Sequence, residues 1–177
     1  VNFSKRGEYA LRVMVDLTIA QARGVELIPL TALAQAQNIP AGFLEQILLR
    51  LRQGGFLRST RGKKGGYSLA RPADAIRMGE LTRYLEGPPA LLPCGEPGGE
   101  KHCSCPDVER CGVRLLMRQA CHALESVLDG CTLSQLAAQT LSVYERDRVV
   151  PAILSAVNRG PSPKGPPSSG GEPEYWI

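Results

Sequence analysis

Four cysteines in the spacing Cys94-x8-Cys103-x-Cys105-x5-Cys111 gather within 18 residues of a 177-residue chain. Thiolates are soft ligands suited to iron–sulfur clusters and to zinc, and a Gly/Pro-rich loop can wrap a cluster without strain. Structural zinc usually draws on two close cysteine pairs, each about two to four residues apart. Here the gaps within the pairs are one and five residues, which favours an iron–sulfur cluster over zinc. A thiol redox switch and simple bystander thiols are the other readings of the same pattern. His102, beside Cys103, is a candidate further ligand, whereas Cys121, Cys131 and His122 fall on or after a helical stretch and suit packing. With two histidines and no Ser/His/Asp or paired-carboxylate constellation, there is little from which to build an acid–base site, and the chain is not expected to be an enzyme.

A second chemistry is written in charge. Four of the seven residues 58–64 are basic: Arg58, Arg61, Lys63 and Lys64. They lie around Gly62, Gly65 and Gly66, between the strand-like runs Phe56–Ser59 and Tyr67–Leu69. That pattern predicts a β-hairpin whose glycines allow a tight tip and whose cations can neutralise phosphates. The formal charge of +4 conceals an asymmetry: residues 1–72 hold 11 Lys/Arg against 4 Asp/Glu, a net of +7, and the remainder nets −3. A basic half suits a polyanion, although solvated surface charge is the commoner cause of such a bias.

The elements that position these groups follow from hydrophobic spacing. Ala10, Val13, Met14 and Leu17 predict a helix over 7–22. Ile28-Pro29-Leu30 reads as an extended entry, with Thr31 as N-cap of a brief helix Ala32–Gln37. Asn38-Ile39-Pro40 is a turn into a second helix, Ala41 to about Gln53, which buries Leu44, Ile47, Leu48 and Leu51. Two short helices across a tight turn, followed directly by a basic hairpin, make a winged helix-turn-helix. Further on, a helix is expected over Ile76–Leu85. A long one follows over Arg110–Leu128, with Val113, Leu116/Met117, Ala120, Leu124 and Val127 as a coiled-coil-like stripe. Thr132 is read as the cap of a short helix Leu133–Gln139, and Leu141–Asn158 as helical with Pro151 as a kink.

Gly and Pro number 33, of which 8 fall in residues 87–100 and 9 in residues 160–173, marking a loop and a tail. The expected fold is therefore mainly α with a small β-wing. Its parts are residues 1–86 as a winged helix-turn-helix, 87–109 as the cysteine-bearing loop, 110–158 as a dimerisation helix with C-terminal helices, and 159–177 as a disordered tail. No apolar run approaches the ~20 residues of a membrane helix, and the first residues lead into no signal-peptide core. Membrane residence is not expected, nor is secretion.

Three strings together resemble the IscR/NsrR-type family of winged-helix repressors. They are Lys5-Arg6-Gly7-Glu8-Tyr9-Ala10-Leu11-Arg12, Phe43-Leu44-Glu45-Gln46-Ile47-Leu48-Leu49-Arg50-Leu51-Arg52, and Arg61-Gly62-Lys63-Lys64-Gly65-Gly66-Tyr67-Ser68-Leu69. The cysteine loop before a long helix and then Thr132-Leu133 fits the same family, and the similarity covers roughly residues 2–140. The resemblance implies a cytoplasmic, homodimeric regulator of double-stranded DNA that senses redox, iron or nitric oxide status through an iron–sulfur cluster. A cluster-free regulator answering to a partner protein, a small ligand or thiol oxidation is the alternative.

By the same resemblance the helix 41–53 reads the major groove, with Ala41, Glu45, Gln46 and Arg50 on it and Arg58, Arg61, Lys63, Lys64 and Tyr67 from the wing as DNA contacts. A carboxylate at Glu45 can accept from the exocyclic amine of cytosine, or can simply suit the helix dipole. The family usually takes three loop cysteines, here Cys94, Cys103 and Cys111, with Cys105 able to replace Cys103. Where some members carry a ligating His three residues after the last Cys, this chain has Arg114. Others use an acid on the first helix of the opposite subunit, a position held by Glu8, which can equally pair with Arg12 at i, i+4. A non-cysteine fourth ligand, Glu8 or His102, favours [2Fe–2S] over [4Fe–4S].

Overall fold

In a computed structural model, residues 3–62, 64–92, 94, 105 and 107–159 are described. They form α1 (Lys5–Ala22), α2 (Leu30–Gln37), α3 (Ala41–Gln53), β1 (Leu57–Thr60), β2 (Gly66–Leu69), a 3-10 turn (Ala73–Ala75), α4 (Met78–Glu86), α5 (Gly112–Gly130), α6 (Leu133–Arg146) and α7 (Ala152–Arg159). The fold is mostly helical with one two-stranded antiparallel sheet, as expected.

α1 begins two residues before the predicted start because Ser4 caps it. The Ser4 hydroxyl accepts from the Gly7 amide at 3.0 Å and donates to Glu86 at 2.7 Å, tying the helix start to the end of α4. Its predicted face, Ala10, Val13, Met14 and Leu17, is completely buried. α2 starts at Leu30 and not after Thr31. The Pro29 carbonyl accepts from Ala32 and Leu33, and Pro29 itself stands in the extended cap conformation. Thr31 is thus in the first turn. Proline has the φ that a helix entry needs and no amide to satisfy, so it does what a hydroxyl cap was expected to do. Asn38, left-handed at φ 53, closes α2 and turns the chain into α3, whose bounds and buried face match the sequence reading.

The wing pairs Leu57 with Leu69 through Thr60 with Gly66. Gly62 at its tip has φ +117, a conformation that L side chains rarely adopt. A third segment joins the wing: Ile28 and Tyr67 exchange two backbone hydrogen bonds of 3.0 and 2.9 Å. A Cβ on Gly66 would lie 2.7–3.0 Å from the Ile28 backbone, so this close approach depends on the missing side chain.

α5 begins at Gly112, two residues later than predicted, because the Asp107 side chain accepts the Arg110 amide and holds 107–110 as a turn. Its length of 19 residues, about 28 Å, is unchanged. Within it only Cys121 is buried, while Val113, Leu116 and Val127 are 58%, 58% and 71% exposed. The Arg83 guanidinium grips both Asp129 oxygens (3.0 and 2.8 Å) and fastens the end of α5 to α4.

Thr132 caps α6 through a full capping box with Gln135, but the helix runs on to Arg146 instead of stopping near 139. The expected interruption at Thr140 is absent; its hydroxyl folds back onto the Leu136 carbonyl at 2.9 Å within an unbroken helix. The real break is Asp147–Pro151, with Arg148 at φ 56. α7 then returns over α2, burying Ile153 and Ala156 in the same core as α1 to α4. Arg159, the first residue of the expected tail, is the last of α7, and 160–177 lie outside the described residues.

Where α1, α2 and α6 meet, the half-buried Asp16 carboxylate accepts from Gln37 Nε2. Desolvation pushes the Asp16 carboxyl up to about 6, only partly opposed by that hydrogen bond and by the charge of Arg12.

Two predictions follow the packing. Gly66→Ala should cost about 1–3 kcal/mol in urea unfolding, because backbone must move, whereas Gly42→Ala, with open space around its Cβ position, should be neutral or stabilising by up to about 1 kcal/mol. An acid with a raised folded pKa lends stability below its unfolded value and loses it as pH rises through about 6. Asp16→Asn should therefore match wild type near pH 3 and exceed it by roughly 2–3 kcal/mol at pH 7, read as unfolding midpoints across pH.

Candidate nucleic-acid interface and cysteine loop

The buried stripe of α3, Leu44, Ile47, Leu48 and Leu51, turns Ala41, Glu45, Gln46, Leu49 and Arg52 to the surface. The hairpin folds beside that surface. A groove of about 180 Å³ is lined by Glu45, Gln46, Leu49 and Arg52 from α3 and Tyr67 from β2. Three expected DNA contacts, Glu45, Gln46 and Tyr67, thus share one concavity with two residues the sequence reading had not singled out. Arg52 also spans helix and wing, donating to the Ser59 hydroxyl at 3.2 Å.

The other basic residues divide into two groups. Arg61 and Lys64 are exposed at the wing tip, and Lys63 lies outside the described residues. Arg58 is turned onto the wing, its Nε donating to Ser68 at 3.1 Å. Arg50 lies on the flank of the α3 surface, toward α4. It donates to the Tyr84 and Leu85 carbonyls (3.2 and 2.8 Å), stacks over the Tyr84 ring, and its own carbonyl accepts from the Tyr84 hydroxyl at 2.7 Å. A cation on the last carbonyls of α4 complements that helix end, so Arg50 clamps α3 to α4. Beside it a second hollow, about 370 Å³, is bordered by Arg6, Gln46, Arg50 and Gln53. Arg6 and Gln53 also went unmarked in the sequence, because helical periodicity identifies the buried face and leaves exposed polar positions equivalent.

The cysteine loop meets the head of α5. Cys111 is the N-cap residue of that helix, and Cys94 and Cys111 are both half-buried, whereas Cys105 is exposed. The Arg114 Nε donates to the Cys94 carbonyl at 2.8 Å, so the start of the loop is held against the first turn of α5. Cys103 and His102 lie outside the described residues, and among the described residues no three His, Cys, Asp or Glu converge as a metal-holding group.

Glu8 stands on the outer side of α1, 2.8 Å from Lys5 Nζ and 3.6 Å from Arg12. The Lys5 hydrogen bond, then its charge, holds the Glu8 carboxyl below its usual range, so it is an anion at neutral pH. Cys121 is buried in α5, and the half-buried Cys131 donates to the Thr132 carbonyl at 3.5 Å, as packing residues should. His122 instead is exposed, 3.5 Å from Glu125. No helix is long and apolar enough to cross a membrane among the described residues.

Comparison with known proteins identifies the family. Residues 3–139 match the Rrf2 family, described as "Iron-dependent Transcriptional regulator". The HTH-type transcriptional regulator IscR of Cereibacter sphaeroides is 41% identical over 86 residues, a match spanning 49% of this chain and 56% of that one. Among solved structures, CymR (YrzC), the global cysteine regulator of B. subtilis, superposes with a TM-score of 0.65 at 32% identity, covering 78% of this chain and 98% of its own. T. potens IscR gives 0.62 at 27% identity, covering 85% and 93%. With its wing, α3 and long α5 all inside the matched span, the chain belongs to the Rrf2 family of transcriptional regulators, which are not enzymes.

Proposed function

We propose that the chain acts in the cytoplasm as a homodimeric repressor whose DNA affinity is set by an iron–sulfur cluster on the loop before α5. The observation that carries this reading is the Arg114 hydrogen bond to the Cys94 carbonyl. It brings the first loop cysteine to the helix turn that Cys111 caps, so two soft donors about 17 positions apart in sequence share one anchorage. Cys94, Cys103 and Cys111 would hold the cluster, with Cys105 as the substitute for Cys103, and Glu8 of the partner subunit is the candidate fourth ligand. A [2Fe–2S] cluster fits that donor set better than [4Fe–4S], because three thiolates and a carboxylate form a mixed set. Bound there, a cluster would supply a reversible redox change, and Glu8 would be its exchangeable ligand.

This chain's own residues do the rest. The apolar stripe of α5 is exposed at Val113, Leu116 and Val127, a surface suited to the same helix of a second copy in an isologous pair. Glu8 is already an anion, and to ligate it must exchange Lys5 and Arg12 for the loop. Because α1 packs against both α3 and α4, a pull on Glu8 bears on the placement of the reading helix. In a dimer with two half-sites, a small change in helix spacing costs several base and phosphate contacts together. On DNA, Glu45 and Gln46 read base edges while Arg61 and Lys64 neutralise phosphates, with Arg52 and Tyr67 joining the two surfaces.

The exposed Cys105 supports a second reading, in which thiol oxidation alone is the signal. Iron and acid-labile sulfide in protein purified without oxygen decide between them. The cluster reading expects both to be present, to fall to background in Cys111→Ala, and to fall in Arg114→Ala with the fold retained. Protein devoid of both would leave only the thiol reading.

DNA binding is tested separately with duplexes selected from a random pool. Arg61→Ala or Lys64→Ala should weaken binding to all duplexes alike and lower the salt slope by about 1 each. Glu45→Ala should lose about 1–3 kcal/mol of discrimination at one base pair and leave the slope unchanged.

A further inference from the structure

A groove of about 350 Å³ lies between α1, α2 and α6 and reaches the start of α7. It is a place the DNA and cysteine chemistry does not use. Its walls are apolar at Leu11, Val15, Ala36, Leu136 and Ala152, and polar at Arg12, Asp16, Gln37, Thr140 and Tyr144.

Asp16 and Gln37 line it side by side, and together they are short of donors. Among the described residues none forms an ion pair with Asp16; Gln37 Nε2 is its hydrogen-bond donor. The other end of the same amide, Gln37 Oε1, is buried without any hydrogen-bond partner. A desolvated carboxylate and an orphaned carbonyl are both acceptors, and leaving them unmatched is costly. An ammonium group, with three N–H donors and a positive charge, can replace Gln37 Nε2 as the donor to Asp16 while the turned-over amide accepts from it through Oε1. One helical turn before Asp16, Arg12 lines the same groove. Its guanidinium lies 3.6 Å from Glu8, an exposed contact weak enough to be exchanged for a ligand's carboxylate. A guanidinium is the complement of a carboxylate. A cation-seeking and an anion-seeking group one turn apart, over a small apolar wall, match a molecule with both charges and a short side chain. The volume sits at the small end of ligand pockets.

We propose that this groove binds a free α-amino acid, with its ammonium between Asp16 and Gln37, its carboxylate on Arg12 and its side chain against Val15, Leu136 and Ala152. Thr140 and Tyr144 offer hydroxyls to the same ligand. Gln37 is the last residue of α2, and Asn38 begins the turn into α3, so occupancy is placed against the joint that orients the reading helix. The site is independent of iron and is tested on the full chain without cluster.

The experiment is calorimetry and thermal unfolding of the full chain with each standard amino acid, and with propylamine and propionate as the two half-ligands. At least one amino acid should raise the unfolding temperature at about 10 mM, and each half-ligand should bind about tenfold or more weakly. Asp16→Asn keeps the groove shape and should abolish the amino-acid response while the protein stays folded. Arg12→Gln should reduce the amino acid to the level of propylamine and leave propylamine unchanged. The proposal is overturned if no amino acid shifts unfolding, or if Asp16→Asn and Arg12→Gln respond as wild type does.

Discussion

The structure depends on one buried stripe. Ala10, Val13, Met14 and Leu17 of α1 are wholly withdrawn from water. Around them pack α2, α3, β2, α4, α6 and α7. Burying such side chains contributes roughly 1.5–3 kcal/mol each for the larger ones, and here the gain is shared by nearly every element. α1 is therefore less a member of the helix-turn-helix than the post to which it is fixed. Its other edge is correspondingly polar, with Glu8, Arg12 and Asp16 following one another at four-residue steps. The two candidate sensing features, a carboxylate for the cysteine loop and a charged groove under α6, are thus laid along one rigid rod. A force applied at either has to act on α1, because side chains in a close-packed core have no slack to absorb it.

Charge looks different once the fold is known. The net of +7 in residues 1–72 overstates what faces a polyanion. Arg12 is paired with Glu8, Arg23 with Glu145, and Arg71 with Glu80. Arg50 is spent on the α4 carbonyls. Such pairs at the surface contribute little stability individually, but they take those cations out of the reckoning for phosphate. What remains near α3 is concentrated at Arg52 and the wing tip, on the side where Glu45 and Gln46 are exposed. Placement, and not the count, marks the candidate interface.

How much of this was readable from the residues follows the same division. The α3 helix and its buried face were legible residue for residue, because a 3.6-residue period with glycine at its end has one structural solution. The wing was legible because glycines and alternating strands leave few alternatives. Three features were not. Pro29 took the capping place given to Thr31, since either residue type can open a helix and only the path of the chain from Ile28 decides. α6 passed straight through Thr140, whose hydroxyl found a carbonyl one turn back. Arg114 registered only as a residue unable to ligate, and its tie to Cys94 is a contact between positions 20 apart, outside any local pattern.

The last of these changes how the cysteine loop is understood. Loss of a histidine ligand at position 114 reads, in sequence, as a defect in a metal site. In the structure the arginine supplies something else: a fixed hydrogen bond that prepays part of the entropy of holding Cys94 near Cys111. Closing a loop of this length costs a few kcal/mol in an unrestrained chain. A backbone anchor at one end lowers that cost whether the thiols meet a cluster or each other. Arg114 therefore supports a cluster by gathering the loop at α5, although a thiol pair would gain from the same anchor. What discriminates is Glu8, since a carboxylate on α1 matters to a metal-bound loop and is irrelevant to a disulfide. Under the proposed reading, the position of that acid on the post that carries the winged helix is what would make its ligation felt at the DNA.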